Sequence, residues 1–425
     1  MPIPRVTALA AVLLLSAAAQ AQISVFPHGP TSDDEVVVRF TTIGGIQGHE
    51  VTRNGAEILV RWMHSGILTP PMYLTHDIPL GELPPGQYRV TVEHLGSQSF
   101  VVRNGDHVPL RLRPWAIPAT GALVHLDRDD MESDFTLELG GRTYGAQDLV
   151  GDGAIRIAAH APGLVDAKLT TASGTVVLPA ALYFFDPFAA PDFSVFERVL
   201  FPVLFASNGA NGSRWRSEAV IANPNPWAVQ NRNSVENLVC ITWPCGELLE
   251  AKSRKGFEGD GYPRGQALLV PRGEADDLAF SLRIRDLSRD AESFGSQVPV
   301  VREDDLFRNR EIALLDVPRD PRFRTKLRIY AFPDPIYDID YAFAYVTVGN
   351  TATQTIRLAP SCTSQPCEAQ PAYGELDLPP GARGEMSDIH LTIDEGALGW
   401  AFASVTNNTT QQVTIVAPAG RGEKR

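Results

Sequence analysis

Short segments of extended pattern, separated by glycine and proline, constrain this chain more than any other feature. The 425 residues include 35 Gly and 33 Pro, which recur between such segments along the whole sequence. Residues 87–93 alternate with period two, and residues 278–284 place their apolar side chains on one face of a strand. No amphipathic helix of three turns is evident. The pattern predicts an all-β chain of tandem β-sandwich domains, because the length exceeds that of a single core.

Composition and charge exclude several classes of protein. A hydrophobic fraction of 44% with 20% charged residues is typical of globular domains, so the chain is not disordered throughout. The net charge is −13, whereas neutralising phosphates requires a clustered excess of Lys and Arg. We therefore expect no nucleic-acid partner.

The first 21 residues predict export. Arg5 precedes the largely apolar run 6–15, and Ala19-x-Ala21 carries the small side chains that signal peptidase requires. The run is shorter than the roughly 20 apolar residues that span a bilayer. We expect cleavage before Gln22, no membrane span after processing, and a secreted, periplasmic or cell-surface location. Because no Cys follows the small residues, a lipid anchor is not expected.

The four cysteines form two matching pairs. Cys240 and Cys245, like Cys362 and Cys367, share the pattern C-x-[ST]-x-P-C. An even number of cysteines in an exported protein predicts disulfides, and a proline before the second cysteine suits a tight turn. The alternative is zinc held by four thiolates, although the usual C-x2-C spacing is missing. We predict two local disulfides, Cys240–Cys245 and Cys362–Cys367.

Three sequence features recur in the same order around the cysteine pairs. An aromatic-Arg-hydroxyl segment with a strand and a proline occurs at 215–224 and again at 323–333. The cysteine pairs follow, and then a strand ends in a Pro/Gly turn at 268–273 and at 376–381. This order predicts two copies of one sandwich module, at 195–302 and 303–418.

Residues from about 106 to 188 carry three pieces of a known domain pattern. These are a strand ending in Gly-Gly at 137–141, a Pro-Gly turn and strand at 161–170, and a closing strand at 173–184. On these pieces the segment resembles an IPT/TIG domain, an immunoglobulin-like β-sandwich. The resemblance implies a sandwich over 105–188 and says little about a ligand, because members of the family bind different things.

Other parts of the chain resemble immunoglobulin-like modules more weakly. The two C-terminal modules are similar to Ig-like repeats of secreted bacterial proteins, through closing pieces such as 400–410. Residues 22–104 also look like an Ig-like sandwich, with a Pro-Pro-Gly turn at 84–86 and a hairpin at 51–63. Asn54-Gly55 in that hairpin favours a type I′ turn. The expected fold is therefore a signal peptide at 1–21 followed by four tandem immunoglobulin-like β-sandwiches.

No motif of an enzyme or a cofactor site is present. The sequence lacks G-x-S-x-G, H-E-x-x-H, a P-loop, and G-x-G-x-x-G after a strand, and its nine His are scattered. We predict a protein that is not an enzyme, with no catalytic residues and no cofactor, and calcium is the one ion for which the sequence offers a candidate site.

An acidic cluster is the candidate calcium site. Its members are Asp127, Asp129, Asp130, Glu132 and Asp134, whose spacing could converge oxygens on Ca²⁺. The cluster lacks the turn glycine and distal glutamate of an EF-hand, so the alternative is an acidic loop that binds nothing.

The function predicted from these features is binding without catalysis. The chain reads as an exported multi-domain binding, adhesive or scaffold protein; the alternative is an accessory carbohydrate-binding component or an exported hydrolase without a recognised motif. The sequence does not identify the partner, and a protein or a glycan on a cell surface is the class to test. Trp227 and Trp243 are the candidate binding residues, since neither lies in an alternating strand and aromatic faces suit sugars and protein anchors. The alternative is that both pack beneath their own loops.

Overall fold

The structure, a computed structural model, describes most of the chain from residue 23 to residue 419. The described residues are 23–27, 29–64, 73–105, 110–127, 134–151, 153–187, 189, 191–209, 212–230, 232–233, 248–249, 252–258, 265–289, 294–308, 311–332, 342–360, 370–394 and 397–419. They form strands and a few three-residue 3₁₀ helices, which include Ala146–Asp148, Ala275–Asp277, Leu287–Arg289 and Glu303–Asp305. The prediction of an all-β chain is confirmed. Within the described residues no helix has the length and apolarity needed to cross a membrane.

The first module, residues 23–104, packs two sheets face to face. Its strands are β1 Ile23–Phe26, β2 Glu35–Ile43, β3 Ile46–Asn54, β4 Glu57–His64, β5 Tyr73–Glu82, β6 Gly86–Val92 and β7 Gly96–Val102. One sheet has the order β1-β2-β5 and the other β3-β4-β6-β7. Alternating side chains of both sheets, among them Val38, Phe40 and Val90, are fully buried between them.

The hairpin of β3 and β4 exists, but its turn lies one residue further along than predicted. Asn54 pairs with Glu57, so Gly55 and Ala56 form the two-residue loop. Gly55 has φ of 61°, and glycine at the first central position is typical of a type II′ turn rather than type I′. Both turn types match the twist of the strands. The pairing of Asn54 with Glu57 makes Gly55 the first residue of the loop, and this position favours type II′.

The second module, residues 110–185, is also a two-sheet sandwich. Its strands are β8 Arg111–Arg113, β9 Ala116–Pro118, β10 Ala122–Asp127, β11 Phe135–Leu139, β12 Arg142–Gly145, β13 Leu149–Val150, β14 Ala154–Ile157, β15 Gly163–Thr171 and β16 Gly174–Phe185. The sheets run β13-β14-β10-β8 and β12-β11-β15-β16-β9. Leu137, Ile155 and Leu182 are fully buried between them.

The third module, residues 195–302, has the first of two closely related strand arrangements. Its strands are β17 Phe196–Phe201, β18 Ala206–Asn208, β19 Arg214–Asn223, β20 Val229–Gln230, β21 Arg232–Asn233, β22 Leu248–Leu249, β23 Ser253–Glu258, β24 Gln266–Pro271, β25 Ala279–Asp286, β26 Ser296–Val298 and β27 Val301–Arg302. One sheet runs β21-β24-β17-β27, and the other runs β18-β19-β25-β26 with β23 also on β19.

The fourth module, residues 303–419, curls one long sheet around its core. Its strands are β28 Phe307–Arg308, β29 Ile312–Pro318, β30 Phe323–Phe332, β31 Ala342–Val348, β32 Gln354–Pro360, β33 Ala372–Leu378, β34 Met386–Ile393, β35 Leu398–Asn407 and β36 Val413–Val416. The sheet runs β28-β35-β30-β33-β32-β31-β34-β29, with β36 on the other side of β35.

The third and fourth modules share one pairing scheme. In the third, β19 lies between β23 and β25, β25 also pairs with β26, and β17 pairs with β24. In the fourth, β30 lies between β33 and β35, β35 also pairs with β36, and β29 pairs with β34. The register also corresponds, because Trp215 lies opposite Asp286 and Phe323 opposite Asn407. The repeat itself stays a prediction, because the third module divides its strands between separate sheets whereas the fourth joins them in one.

One of the three sequence matches behind the repeat joins strands that do not correspond. Residues 268–271 belong to β24, which pairs with the first strand β17, whereas 376–378 belong to β33, which pairs with β30. The counterpart of β33 is β23, because β33 pairs with β30 in the fourth module as β23 pairs with β19 in the third. A Pro/Gly turn ends a strand without specifying its partner, so this match was wrong.

An aromatic face joins the fourth module to the third. Tyr330, Trp400 and Phe402 point away from the core of the fourth module and are buried in one cluster with Phe201 and other third-module residues. The Tyr330 hydroxyl donates a hydrogen bond to the Pro202 carbonyl. The two modules therefore share buried apolar surface.

Paired charges hold the segment that links the third module to the fourth. Glu303 accepts hydrogen bonds from Arg198 at 3.0 Å and from Arg272 at 2.7 Å, and all three side chains are buried or nearly so. Burial by itself would raise the pKa of Glu303, but the charges of Arg272 and Arg198 and their hydrogen bonds lower it to about 2. Glu303, the first residue of the fourth module, is thus held to the third module by Arg198 and Arg272.

Candidate functional site

A cleft of about 240 Å³ lies where the third and fourth modules meet. Trp215, Asp286 and Arg289 form its wall in the third module. The segment 409–413, which connects β35 to β36, forms the opposite wall. The two walls touch where Ser296 donates a hydrogen bond to the Val413 carbonyl. The site therefore depends on the packing of the two modules.

Equivalent turns build both walls. The Asp286 Oδ1 atom accepts hydrogen bonds from Arg214 N at 2.8 Å, Ser288 N at 3.0 Å and Ser288 Oγ at 2.6 Å. In the fourth module Asn407 Oδ1 accepts from Thr409 N at 2.8 Å and Thr410 N at 3.0 Å. Asp and Asn stabilise such turns because their side chains satisfy backbone N–H groups two residues ahead.

The charged side chains that line the cleft neutralise each other. Among its described lining residues the charged ones are Asp286 and Arg289, which form an ion pair. Burial would raise the pKa of Asp286, but hydrogen bonds from Ser288, Arg214 and Arg289 hold the pKa below its ordinary value. The carboxylate is thus ionised and its oxygens are occupied, so it suits a structural role better than proton transfer.

Aromatic and polar groups line the remaining surface. The half-buried indole of Trp215 rests partly on the core. Gly209 leaves room for it, because a Cβ at that position would lie only 2.6 Å from the Trp215 Nε1 atom. Thr409, Thr410 and Gln412 are exposed on the facing wall. Phe294, whose side chain is 82% exposed, precedes the lining residue Gly295. An aromatic ring beside hydroxyl and amide groups offers both apolar and hydrogen-bonding contacts.

The sequence-based candidate Trp227 lies elsewhere. It is half-buried between the second and third modules, with its ring centroid 6.1 Å from that of His125 and 5.5 Å from the guanidinium of Arg113. Its carbonyl accepts a hydrogen bond from Asn223 at 2.8 Å. Trp227 thus contacts a neighbouring module, and its role in binding stays a prediction. Trp243 lies outside the described residues, so no joint patch of the two tryptophans can be described.

The other candidate sites fall largely outside the described residues. Of the acidic cluster, Asp127 is half-buried and Asp134 exposed, while Asp129, Asp130 and Glu132 are not described. Within the described part of the chain no three His, Cys, Asp or Glu side chains are grouped to hold a metal ion. Cys240, Cys245, Cys362 and Cys367 also lie outside the described residues. Calcium binding and the two disulfides stay predictions.

The sequence contains local signals for two residues of the cleft, but they predict only a strand and a turn. Trp215 opens the aromatic-Arg-hydroxyl segment, and Asp286 precedes a Ser two positions on, as in an Asx turn. The cleft itself arises because the fourth module packs against the third, and the two walls lie more than a hundred residues apart in sequence. No local pattern could indicate that contact.

Comparisons with known proteins give little further information. No family model matches the chain, and no curated protein matches it. Among solved structures, the chain is similar to SGBP-B from a complex xyloglucan utilization locus in Bacteroides uniformis. That match has 10% identity, covers 93% of this chain and 98% of the other, and has a TM-score of 0.16. SGBP-B of the Bacteroides ovatus mixed-linkage glucan utilization locus, in complex with a mixed-linkage heptasaccharide, matches at 11% identity, 91% and 100% coverage, and a TM-score of 0.19. At such low TM-scores neither likeness bears on what this chain binds.

Proposed function

We propose that this chain is an exported, non-catalytic binding protein that holds a glycan in the cleft between its third and fourth modules. The observation that carries the proposal is the cleft lining, in which Trp215 lies beside exposed Thr and Gln side chains. Sugar rings combine apolar C–H faces with hydroxyl groups, so they complement aromatic rings flanked by hydrogen-bonding groups. In this proposal the chain consists of four β modules, and the last two, which share a buried aromatic cluster, are repeat copies.

The balanced charge of the cleft favours an uncharged glycan. Asp286 and Arg289 neutralise each other, and the whole chain carries a net charge of −13. An acidic polysaccharide would be repelled by the chain as a whole and would find no uncompensated cation among the described lining residues. Neutral polysaccharides are therefore the first ligands to test.

Affinity electrophoresis of the full chain in gels with neutral polysaccharides tests the proposal. We expect retardation in at least one gel, and we expect Trp215→Ala to weaken binding at least about tenfold because it removes the aromatic anchor. Gln412→Ala, which changes an exposed residue outside the core, should also weaken it. Tyr345→Ala is the matched control, since this tyrosine is 40% exposed on another surface of the fourth module.

Two results would contradict the proposal. One is unchanged retardation of both Trp215→Ala and Gln412→Ala in the gel that retards the wild type. The other is release of reducing ends from the bound polysaccharide by the purified protein, which would favour the hydrolase alternative.

A further inference from the structure

Phe294 is an exposed aromatic residue at the rim of the cleft between the third and fourth modules. Its side chain is 82% exposed, against 40% for Tyr345, and these are the two most exposed aromatic rings among the described side chains. A large apolar ring in water forgoes the free energy that burial would provide. The next residue, Gly295, lines the cleft and lies against β25, where an added Cβ would collide with the Ile284 carbonyl oxygen. A ligand that extends out of the cleft beside Gly295 would therefore meet Phe294.

The pairing of β19, β25 and β26 places Phe294 at the level of Trp215. Trp215 lies opposite Asp286 on β25. Ser296, the first residue of β26, lies opposite Ile284, so continuing that register brings Phe294 to the level of Asp286. Neighbouring strands are about 4.8 Å apart, so the backbones at the two aromatic residues are separated by roughly 10 Å.

The facing wall of the cleft is held in one conformation. Gln411 has φ of 59°, a left-handed conformation that is costly for a residue other than glycine and is kept only where the surroundings fix it. Its side chain is 1% exposed, donates a hydrogen bond to the Asn408 carbonyl at 2.7 Å and accepts one from Arg324 Nη2 at 2.7 Å.

The fixed wall limits the space inside the cleft. Its volume is about 240 Å³, which is below the roughly 300–1,000 Å³ of sites that enclose a drug-sized ligand. A ligand of several sugar units is larger than this space, so part of it must lie outside the cleft, on the rim that carries Phe294.

We infer that the site takes an oligosaccharide segment of several units, which contacts Trp215 inside the cleft and Phe294 on its rim. This inference rests on the glycan site proposed above. A single pyranose ring is shorter than the separation of the two aromatic residues, so a monosaccharide contacts one of them and a longer segment contacts both. Each aromatic face that meets the C–H surface of a sugar adds to the affinity.

Fragments of graded length test the inference. The gels contain hydroxyethyl cellulose, galactomannan, dextran or soluble starch, and fragments of one to eight units of the polysaccharide that retards the wild type are titrated calorimetrically into the full chain. We expect the affinity of the wild type to rise with length and to level off once a fragment reaches both rings. Phe294→Ala should weaken binding of the six-unit fragment about tenfold and make the affinity level off at a shorter length. Trp215→Ala should weaken binding at every length.

Two further variants and a control separate ring contact from a change in folding. Phe294→Tyr keeps the aromatic ring and should retain the affinity of the wild type, whereas Phe294→Leu keeps an apolar side chain without the ring and should behave as Phe294→Ala does. Tyr345→Ala is the matched control, since it removes an exposed ring from another surface of the fourth module. Its affinity should equal that of the wild type at every length.

The outcomes separate this inference from the proposed function. If Trp215→Ala weakens binding but Phe294→Ala and Phe294→Leu bind the six-unit fragment as tightly as the wild type, the inference is wrong and the proposed site stands. If the wild type binds one unit as tightly as six, the inference is also wrong. If none of the four polysaccharides retards the wild type, the proposed function and the inference fail together.

Discussion

At the scale of single residues, Gly295 shows how the backbone shapes the cleft. Its φ is 86°, a conformation in which a side chain is strained, and a Cβ there would collide with the Ile284 carbonyl oxygen. We expect Gly295→Ala to lower the free energy of unfolding by about 1–3 kcal/mol and to weaken glycan binding.

Urea unfolding of Gly295→Ala beside Gly256→Ala provides the measurement and its control. Gly256 lies on β23 with its nearest added-Cβ contact at 3.9 Å and no positive φ. Its substitution should change stability by less than about 0.5 kcal/mol. Equal effects of the two changes would show that the turn before β26 does not require glycine.

Some features of individual residues could be predicted from the sequence, whereas others depend on contacts between modules. The strands around 87–93 and 278–284 were predictable, because alternation reports directly which side chains face a core. Trp215 and Asp286 were visible as strand and turn residues, but their meeting with 409–413 depends on tertiary packing. The sequence indicates that Trp227 lies in a loop. It does not indicate the contacts with His125 and Arg113, because these residues belong to another module.

At the scale of elements, β30 and β35 hold the fourth module against the third through the face that points away from the fourth module's own core. Trp400 is 4% exposed although it points away from its own core, and it contacts the rings of Tyr330 and Phe402. We expect Trp400→Ala to cost about 3–5 kcal/mol, because it leaves a cavity in the shared cluster. Differential scanning calorimetry should show the fourth module unfolding separately at a lower temperature.

Met386→Ala is the control for that prediction. Met386 lies on β34 of the same module and is 51% exposed, so its truncation should change stability by less than about 0.5 kcal/mol. A single, unshifted transition for Trp400→Ala would mean that the modules are not coupled through this face. The sequence could not indicate this coupling, since alternation along β30 was compatible with a solvated outer face.

At the scale of the whole molecule, the Glu303 pairs make stability depend on pH. The pKa of Glu303 is lowered from its ordinary value of 4.5 to about 2 in the folded state. A lowered pKa stabilises the fold above the unfolded-state pKa, and that contribution disappears as pH falls from about 5 towards 2. We expect Glu303→Gln to be less stable than the wild type by about 3 kcal/mol at pH 7, with the difference shrinking below pH 5.

Denaturant unfolding of both proteins between pH 7 and pH 3 checks this expectation. Burial raises the pKa of Glu197 and the charge of Glu303 raises it further, so the comparison reports this coupled group of charges and not Glu303 alone. Glu138→Gln is the control, because its ion pair with Lys168 is exposed on both sides and should contribute under about 1 kcal/mol at any pH. A difference for Glu303→Gln that stays constant with pH would contradict the assignment.

The aromatic face of the fourth module also bears on self-association. A head-to-tail contact between unlike surfaces of identical units has no natural end and can grow into a fibre. At the positions of the third module that correspond in register to Tyr330, Trp400 and Phe402, the residues are Ala222, Ala279 and Ser281. Within the described residues, this aromatic surface is therefore present on the fourth module, where the same chain already covers it. The shorter side chains at the corresponding described positions of the third module do not form a second one that could extend such a contact.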